Sequence, residues 1–185
     1  GQNLSEGELL QLSNVSSLQF SEDIYFDVIR KKTAVLFAAC TKSGALSVGV
    51  TDEQAEFARQ FGEYIGLCFQ IKDDIFDYYD SKKIGKPTGN DMLEGKLTLP
   101  VLYALNSTKD KVAEEIAVKV KSGSATTDEI DYLIEFAKQQ GGIEYAVQTM
   151  LAFKEKALSL LASLPDSDVK TGLTAYLDYV VDRDK

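Results

Sequence analysis

Between Thr51 and Tyr79 one helical pattern runs without a proline, and this stretch limits the fold more than any other. Thr51 and Gln54 form a capping box that opens it, with Thr at the N-cap and Gln three positions on. One ridge then reads Ala58, Gly62, Gly66, Gln70, Asp74 at four-residue spacing. A glycine inside a helix costs ~1 kcal/mol relative to alanine, so two on one ridge call for close approach of a neighbouring helix. Tight packing below would also fix how Gln70 and the aspartates project above, since rigid elements hold sites better than loops do.

The rest of the chain keeps the same period. Only three prolines occur in 185 residues, strand-like alternation is nowhere sustained, and the fold class expected is all-α. A first amphipathic segment covers about Leu4–Ser17. Ser21 is the N-cap expected for the next helix, followed by Glu22 and Asp23, whose charges suit the helix dipole. That helix should reach about Ser43, with an apolar stripe of Tyr25, Ile29, Leu36 and Cys40 interrupted by Lys32 and Thr33. Residues 80–90, rich in Gly and Lys, read as a loop. Helices are expected over Thr98–Leu105, with Pro100 in the first turn, and over Asp110–Lys121. Thr126 and Glu129 form a second capping box, opening a helix that stops at Gly141-Gly142. Ile143–Ser163 and Asp168–Val181 complete the set. Residues 1–185 are expected to lie within one domain.

The hydrophobic fraction, 44%, is enough for a core, and no apolar run is long enough to span a bilayer. Gly1-Gln2-Asn3 leads into a polar amphipathic stretch, so no signal peptide is expected. A net charge of −9 argues against a nucleic-acid surface, which needs the opposite sign. It leaves a phosphate substrate open, because metal ions invert local charge. Cys40 and Cys68 lie in separate apolar patterns and no histidine occurs. Zinc sites and histidine chemistry are thereby disfavoured, two buried thiols in a cytoplasmic protein are expected, and any metal should be held by oxygen.

The oxygen ligands on offer are Asp73, Asp74 and Asp77. At helical spacing of three and four their Cβ atoms fall roughly 5–6 Å apart on one face. Carboxylates this close repel, and they suit a hard cation such as Mg²⁺, which binds through a few carboxylates, retained water and substrate phosphates. A solvated acidic face would explain the same spacing. Lys32 poses a similar choice: an unpaired charge in a core-facing stripe is costly, unless the side chain snorkels to the surface.

The flanking residues decide between these. Phe69-Gln70-x-x-Asp73-Asp74-x-x-Asp77 resembles the second aspartate-rich motif of the trans-polyprenyl diphosphate synthases. Gly85-Lys86-x-x-Gly89-x-Asp91-x-x-Glu94-Gly95-Lys96-x-Thr98-Leu99-Pro100 resembles the block that follows it in that family. Upstream, Lys32-Thr33-Ala34-x-Leu36-Phe37 resembles the family's Lys-Thr helix, and Glu6-Gly7-Glu8-x-x-Gln11-Leu12 the helix before it. Four blocks in the family's order span residues 6–100.

The resemblance implies a helical bundle of the isoprenoid synthase type and a Mg²⁺-dependent prenyltransferase that condenses an allylic diphosphate with isopentenyl diphosphate. It implies that Asp73, and less directly Asp74 and Asp77, bind Mg²⁺. Lys32, Lys86 and Lys96 would neutralise the diphosphate, Thr33 and Gln70 would turn oxygen dipoles toward the developing cation, and Asp91 would belong to an outer shell. Arg183 and Lys185 would close over the site, and a homodimer is implied. Family members carry a first aspartate-rich motif ahead of the Lys-Thr helix, and no second DDxxD occurs in this sequence. The expectation is therefore a C-terminal portion of a synthase, without the N-terminal helices and without catalytic competence alone. The Glu-Gly-Glu-Leu-Leu-Gln-Leu stretch resembles medium- and long-chain members. An acidic helical module that binds metal or a partner without turnover is the rival reading. A terpene cyclase is the second enzymatic one.

Overall fold

The computed structural model describes residues 20–47, 51–79 and 88–184, and every regular element among them is helical. The segment expected over residues 4–17, the Glu6–Leu12 block, Lys86 and Lys185 lie outside the described residues.

Helix α1 (Glu22–Ile29) begins where Ser21 predicts, with the Ile24 N–H donating to Ser21 Oγ at 3.4 Å. The helix expected to continue unbroken instead passes through a π-helical turn, Arg30–Ala34, before α2 (Val35–Ser47). One extra residue in that turn shifts the register of everything after it. Tyr25, Val28, Ile29, Ala34 and Ala38 are buried, whereas Leu36 is 53% exposed and Cys40 is exposed as well. The stripe expected through Leu36 and Cys40 is thus corrected, and so is the expectation of two buried thiols.

Helix α3 (Asp52–Phe76) opens on the anticipated capping box: Gln54 N–H donates to Thr51 Oγ1 at 3.2 Å, and Thr51 N–H to Gln54 Oε1 at 3.0 Å. Its two ridge glycines lie against the preceding helical segment. A Cβ at Gly66 would fall 2.7 Å from Ala34 Cα, and one at Gly62 would fall 2.6 Å from Thr41 Oγ1 and 3.0 Å from the Phe37 carbonyl oxygen. Close approach is the reason for both glycines. The helix ends at Phe76, so Asp77 and Tyr78 occupy the turn beyond it rather than its last helical turn.

A short helix α4 (Asn90–Leu93) starts on the last residue of the 80–90 stretch read from sequence as loop. Next come α5 (Leu99–Ser107), α6 (Lys111–Lys121), α7 (Thr127–Gln139), α8 (Gly142–Ala162) and α9 (Asp168–Asp182). Their starts have local causes. Asp110 accepts from the Ala113 N–H, Ser167 from the Lys170 N–H, and Thr126 with Glu129 completes the second capping box.

The chain divides into two compact units. One gathers the described parts of residues 29–72 and 148–184; its interior includes Phe61, Leu67, Cys68, Ile71, Met150, Leu161 and Leu177. Cys68 donates its thiol to the Met150 carbonyl at 3.4 Å. The other gathers the described parts of residues 20–28 and 73–147, around Tyr78, Leu99, Leu102, Val120 and Leu133. Here the Tyr78 hydroxyl lies 3.0 Å from Thr98 Oγ1 and accepts from the Val101 N–H at 3.2 Å, which fixes the start of α5. Among the described residues no helix is long and apolar enough to cross a membrane.

Candidate active site

In the first unit, the π turn carries both Lys32 and Thr33, each half-buried. Single π turns inside α-helices recur at functional sites. Thr33 Oγ1 donates to Gln70 Oε1 at 2.8 Å. The hydroxyl hydrogen is used in that bond, so the Thr33 oxygen can turn its lone pairs outward as an acceptor or dipole. The neighbouring turn of α3 is held from the far end of the chain. Arg183 donates through Nη2 to the Phe69 carbonyl at 3.0 Å, and its guanidinium lies 4.2 Å from the centre of the Phe69 ring. Phe69 also meets Phe37 with ring centres 5.5 Å apart. Arg183, expected from the resemblance to close over a site, is here engaged with Phe69.

In the second unit the three motif carboxylates have three different surroundings. Asp73 is exposed. Asp74 is only 6% exposed and accepts from the Tyr25 hydroxyl at 2.5 Å. Asp77 accepts the backbone N–H of Asn90 at 3.1 Å on one oxygen and that of Asp91 at 3.0 Å on the other. Gly89, the N-cap of α4, gives that helix no side-chain cap; Asp77 supplies one from 13 residues away. The single acidic face anticipated for an ideal helix is therefore split between solvent, interior and the neighbouring short helix.

Burial, and after it the charge of Asp77, pushes the Asp91 carboxyl up to about 7, while Lys96 pulls it partway back. Burial first, and Asp74 second, hold the Tyr25 hydroxyl well above its ordinary range. The Lys96 ammonium pairs with Glu94 at 2.9 Å. Lys86 lies outside the described residues.

Among the described residues, no three of His, Cys, Asp and Glu come together as a ready-made cage for a metal ion. The donors fit a hard cation of another kind, one that takes a carboxylate or two and completes its shell with water and a ligand's phosphates. Asp73 offers exposed oxygens, and burial together with the charge of Asp77 makes Asp91 costly to ionise, a cost that a nearby cation would relieve.

Sequence reasoning placed Tyr25 only in an apolar stripe and so missed its bond to Asp74. Its partner lies 49 residues on, which no local pattern reports. It missed the π turn as well, because Arg30-Lys31-Lys32-Thr33-Ala34 contains no helix breaker.

The sequence model of the polyprenyl synthetase family matches residues 2–137. The octaprenyl diphosphate synthase of Escherichia coli is 33% identical over 183 residues, 98% of this chain and 56% of that protein. The short chain isoprenyl diphosphate synthase of Methanothermobacter thermautotrophicus is 35% identical over 182 residues, 98% of this chain and 55% of that protein. Among solved structures, a geranylgeranyl pyrophosphate synthase from Bacteroides thetaiotaomicron matches with a TM-score of 0.94 at 69% identity, over 98% of this chain and 60% of that one. A polyprenyl synthase from Caulobacter crescentus, complexed with calcium and isoprenyl diphosphate, matches with a TM-score of 0.90 at 32% identity, over 100% of this chain and 56% of that one. The fold is the all-α isoprenoid synthase type. The chain belongs to the polyprenyl synthetase family of trans-prenyltransferases. It spans a little over half the length of the curated relatives it matches, and their names include both short-chain and octaprenyl products.

Proposed function

We propose that this chain is part of a single synthetase domain that condenses an allylic diphosphate with isopentenyl diphosphate to make a polyprenyl diphosphate. The observation that carries the reading is the fate of the three motif carboxylates. Asp74 is buried against the Tyr25 hydroxyl and Asp77 caps the N–H groups of Asn90 and Asp91, while Asp73 beside them is exposed. An ordinary solvated acidic face, the rival reading, gives no reason to bury Asp74 at the cost of desolvating a carboxylate.

In this reading Asp73 is the direct ligand for Mg²⁺, with Asp74 and Asp77 acting less directly. The bound ion supplies electrostatic stabilisation of the diphosphate as it leaves. Lys32, Lys86 and Lys96 carry compact positive charges to the same leaving group, a task that suits the lysine ammonium. Thr33 and Gln70 offer oxygen dipoles to the allylic cation. Preorganised dipoles of this kind are usually the largest catalytic contribution, because they need no reorientation as charge develops. The condensation forms one carbon–carbon bond, releases pyrophosphate and ends with loss of a proton from the isopentenyl unit. No protein nucleophile is required, in keeping with a sequence that contains no histidine.

We further take the functional assembly to be a cytoplasmic homodimer. The chain alone is not competent, because it holds one DDxxD pattern where the family resemblance calls for two. The test is direct. The chain is incubated with Mg²⁺, isopentenyl diphosphate and an allylic primer, and separately titrated with Mg²⁺ and pyrophosphate. Metal-dependent pyrophosphate binding without chain elongation is expected. Robust elongation would overturn the claim of incompetence, and pyrophosphate binding that ignores Mg²⁺ would overturn the metal reading.

A further inference from the structure

Asp74 and its partner form a buried pair in a chain whose other motif carboxylates reach solvent or backbone. Tyr25 is 4% exposed and Asp74 6%, and the hydroxyl donates to Asp74 Oδ2 at 2.5 Å. Successive residues on an α-helix are turned about 100° from one another. Fixing Asp74 inward therefore fixes the direction in which Asp73 looks. The choice of a phenol also has a physical meaning. A lysine or arginine in its place would hold Asp74 equally well, yet would add a positive charge beside a site meant for a cation. Tyrosine holds the carboxylate and leaves the local negative potential intact. Burial and the Asp74 charge both keep the hydroxyl protonated, hence a donor. A second anchor, Asp77 on the N–H groups of Asn90 and Asp91, holds the turn beyond Phe76 independently of Tyr25.

We propose that Tyr25 is a positioning residue for the cation site: its buried hydroxyl ties down Asp74 and so sets the roll of the helix end that presents Asp73. This role presupposes Asp73 as the direct ligand, and it makes Asp74 a held carboxylate rather than a ligand. Tyr25 itself touches neither ion nor substrate.

The test uses the 185-residue chain with Mn²⁺ and inorganic pyrophosphate as probes. Free Mn²⁺ is followed by its electron paramagnetic resonance signal, and thermal melts are run in parallel. At a temperature well below every melting point, Tyr25→Phe is expected to weaken Mn²⁺–pyrophosphate binding about tenfold, the usual size for a group that orients a metal ligand. Asp74→Asn should weaken it at least as much, because it loses the tie to Tyr25 and also removes a negative charge beside the cation. The double variant should be no weaker than Asp74→Asn alone, because the hydroxyl acts only through that carboxylate. Unchanged affinity in Tyr25→Phe, with only the melting point lowered, would make the pair purely structural and overturn the proposal. Tighter binding would also overturn it, since it would mean that Asp74 binds the ion better without the Tyr25 bond. If Tyr25→Phe does not fold, Asp74→Asn decides alone, and unchanged affinity there overturns the role. Asp73→Asn separates the two layers. If it binds like the unaltered chain, or if the unaltered chain does not bind the probes, the metal reading fails and the role of Tyr25 fails with it. If Asp73→Asn abolishes binding while Tyr25→Phe does not alter it, only the role of Tyr25 fails.

Discussion

Thr33 in the π turn donates its hydroxyl to the side-chain oxygen of Gln70 on α3, at 2.8 Å. The two residues lie 37 positions apart, yet each belongs to a motif recognisable in the sequence. A neutral hydrogen bond of this kind contributes about 0.5–1.5 kcal/mol net. Thr33→Val should lose that amount in urea denaturation, and Thr33→Ser should retain most of it. A double-mutant cycle with Gln70→Leu should show coupling of the same size. Additive losses would mean that the two side chains do not work as a pair.

The ridge glycines give a prediction whose sign differs between two forces. Alanine is favoured over glycine in a helix by ~1 kcal/mol, whereas overpacking costs typically about 1–3 kcal/mol. At Gly66 the new Cβ would meet backbone, Ala34 Cα at 2.7 Å, which cannot rotate away. Gly66→Ala should therefore destabilise the chain despite the better helix former. At Gly62 the nearest atom is Thr41 Oγ1 at 2.6 Å, the tip of a side chain that itself donates to the Phe37 carbonyl. Adding Thr41→Ala should recover part of the loss in Gly62→Ala and none of the loss in Gly66→Ala. Chemical denaturation of the four variants checks the ordering.

What could be read from the sequence follows the range of the interactions concerned. The starts of α3 and α7 were legible because Thr51 with Gln54, and Thr126 with Glu129, each close a cap within three residues. Gly62 and Gly66 announced a close contact, although not its partner. The π turn was illegible, since its five residues carry no breaker and its packing against Gly66 is set from a distant helix. Its one-residue shift then displaced the buried stripe away from Leu36 and Cys40. For the candidate site, the residue types and spacing of Asp73, Asp74 and Asp77 were plain, but their directions were not. Those directions depend on Tyr25 and on the N–H groups of Asn90 and Asp91, none of which lies within ten residues in sequence of the carboxylate it meets.

The two thiols should differ sharply in reactivity. Cys40 is exposed, while Cys68 is fully buried and its thiol is pushed up to about 12 by that burial. The thiolate is the nucleophile, so Cys68 should be inert in the folded chain. A disulfide reagent at pH 8 should modify one thiol quickly and the second only at the rate of unfolding. Cys40→Ser should remove the fast phase. Two fast thiols would contradict the burial of Cys68.

Tyr25 and Tyr78 should tie stability to alkaline pH. Burial raises both hydroxyls above the ordinary tyrosine range, which is near 10. Above that pH the unfolded chain releases protons that the folded chain still holds. Stability is then full below about 10 and declines as pH rises further, because the native state binds more protons. Melting points measured from pH 8 to 11 should fall more steeply above 10, and Tyr25→Phe should flatten the fall. Absorbance at alkaline pH should show a set of tyrosines ionising only as helicity is lost. An unaltered slope in Tyr25→Phe would remove Tyr25 from this linkage.

Lys96 separates a contribution to ligand binding from one to the fold. Its ammonium pairs with Glu94 at 2.9 Å, and the Glu94 side chain is 62% exposed. A pair this open contributes about 0–1 kcal/mol, so Lys96→Ala should scarcely move the melting point. If Lys96 neutralises a bound diphosphate, the same change should weaken Mg²⁺–pyrophosphate binding several-fold. The loss should shrink as salt rises, since added ions screen an exposed charge. Glu94→Gln makes the converse case: removing the competing carboxylate frees the ammonium and should tighten pyrophosphate binding. Calorimetric titrations of both variants at two salt concentrations check the pattern. Equal affinities for Lys96→Ala and the unaltered chain would leave Lys96 as a surface partner of Glu94 and nothing more.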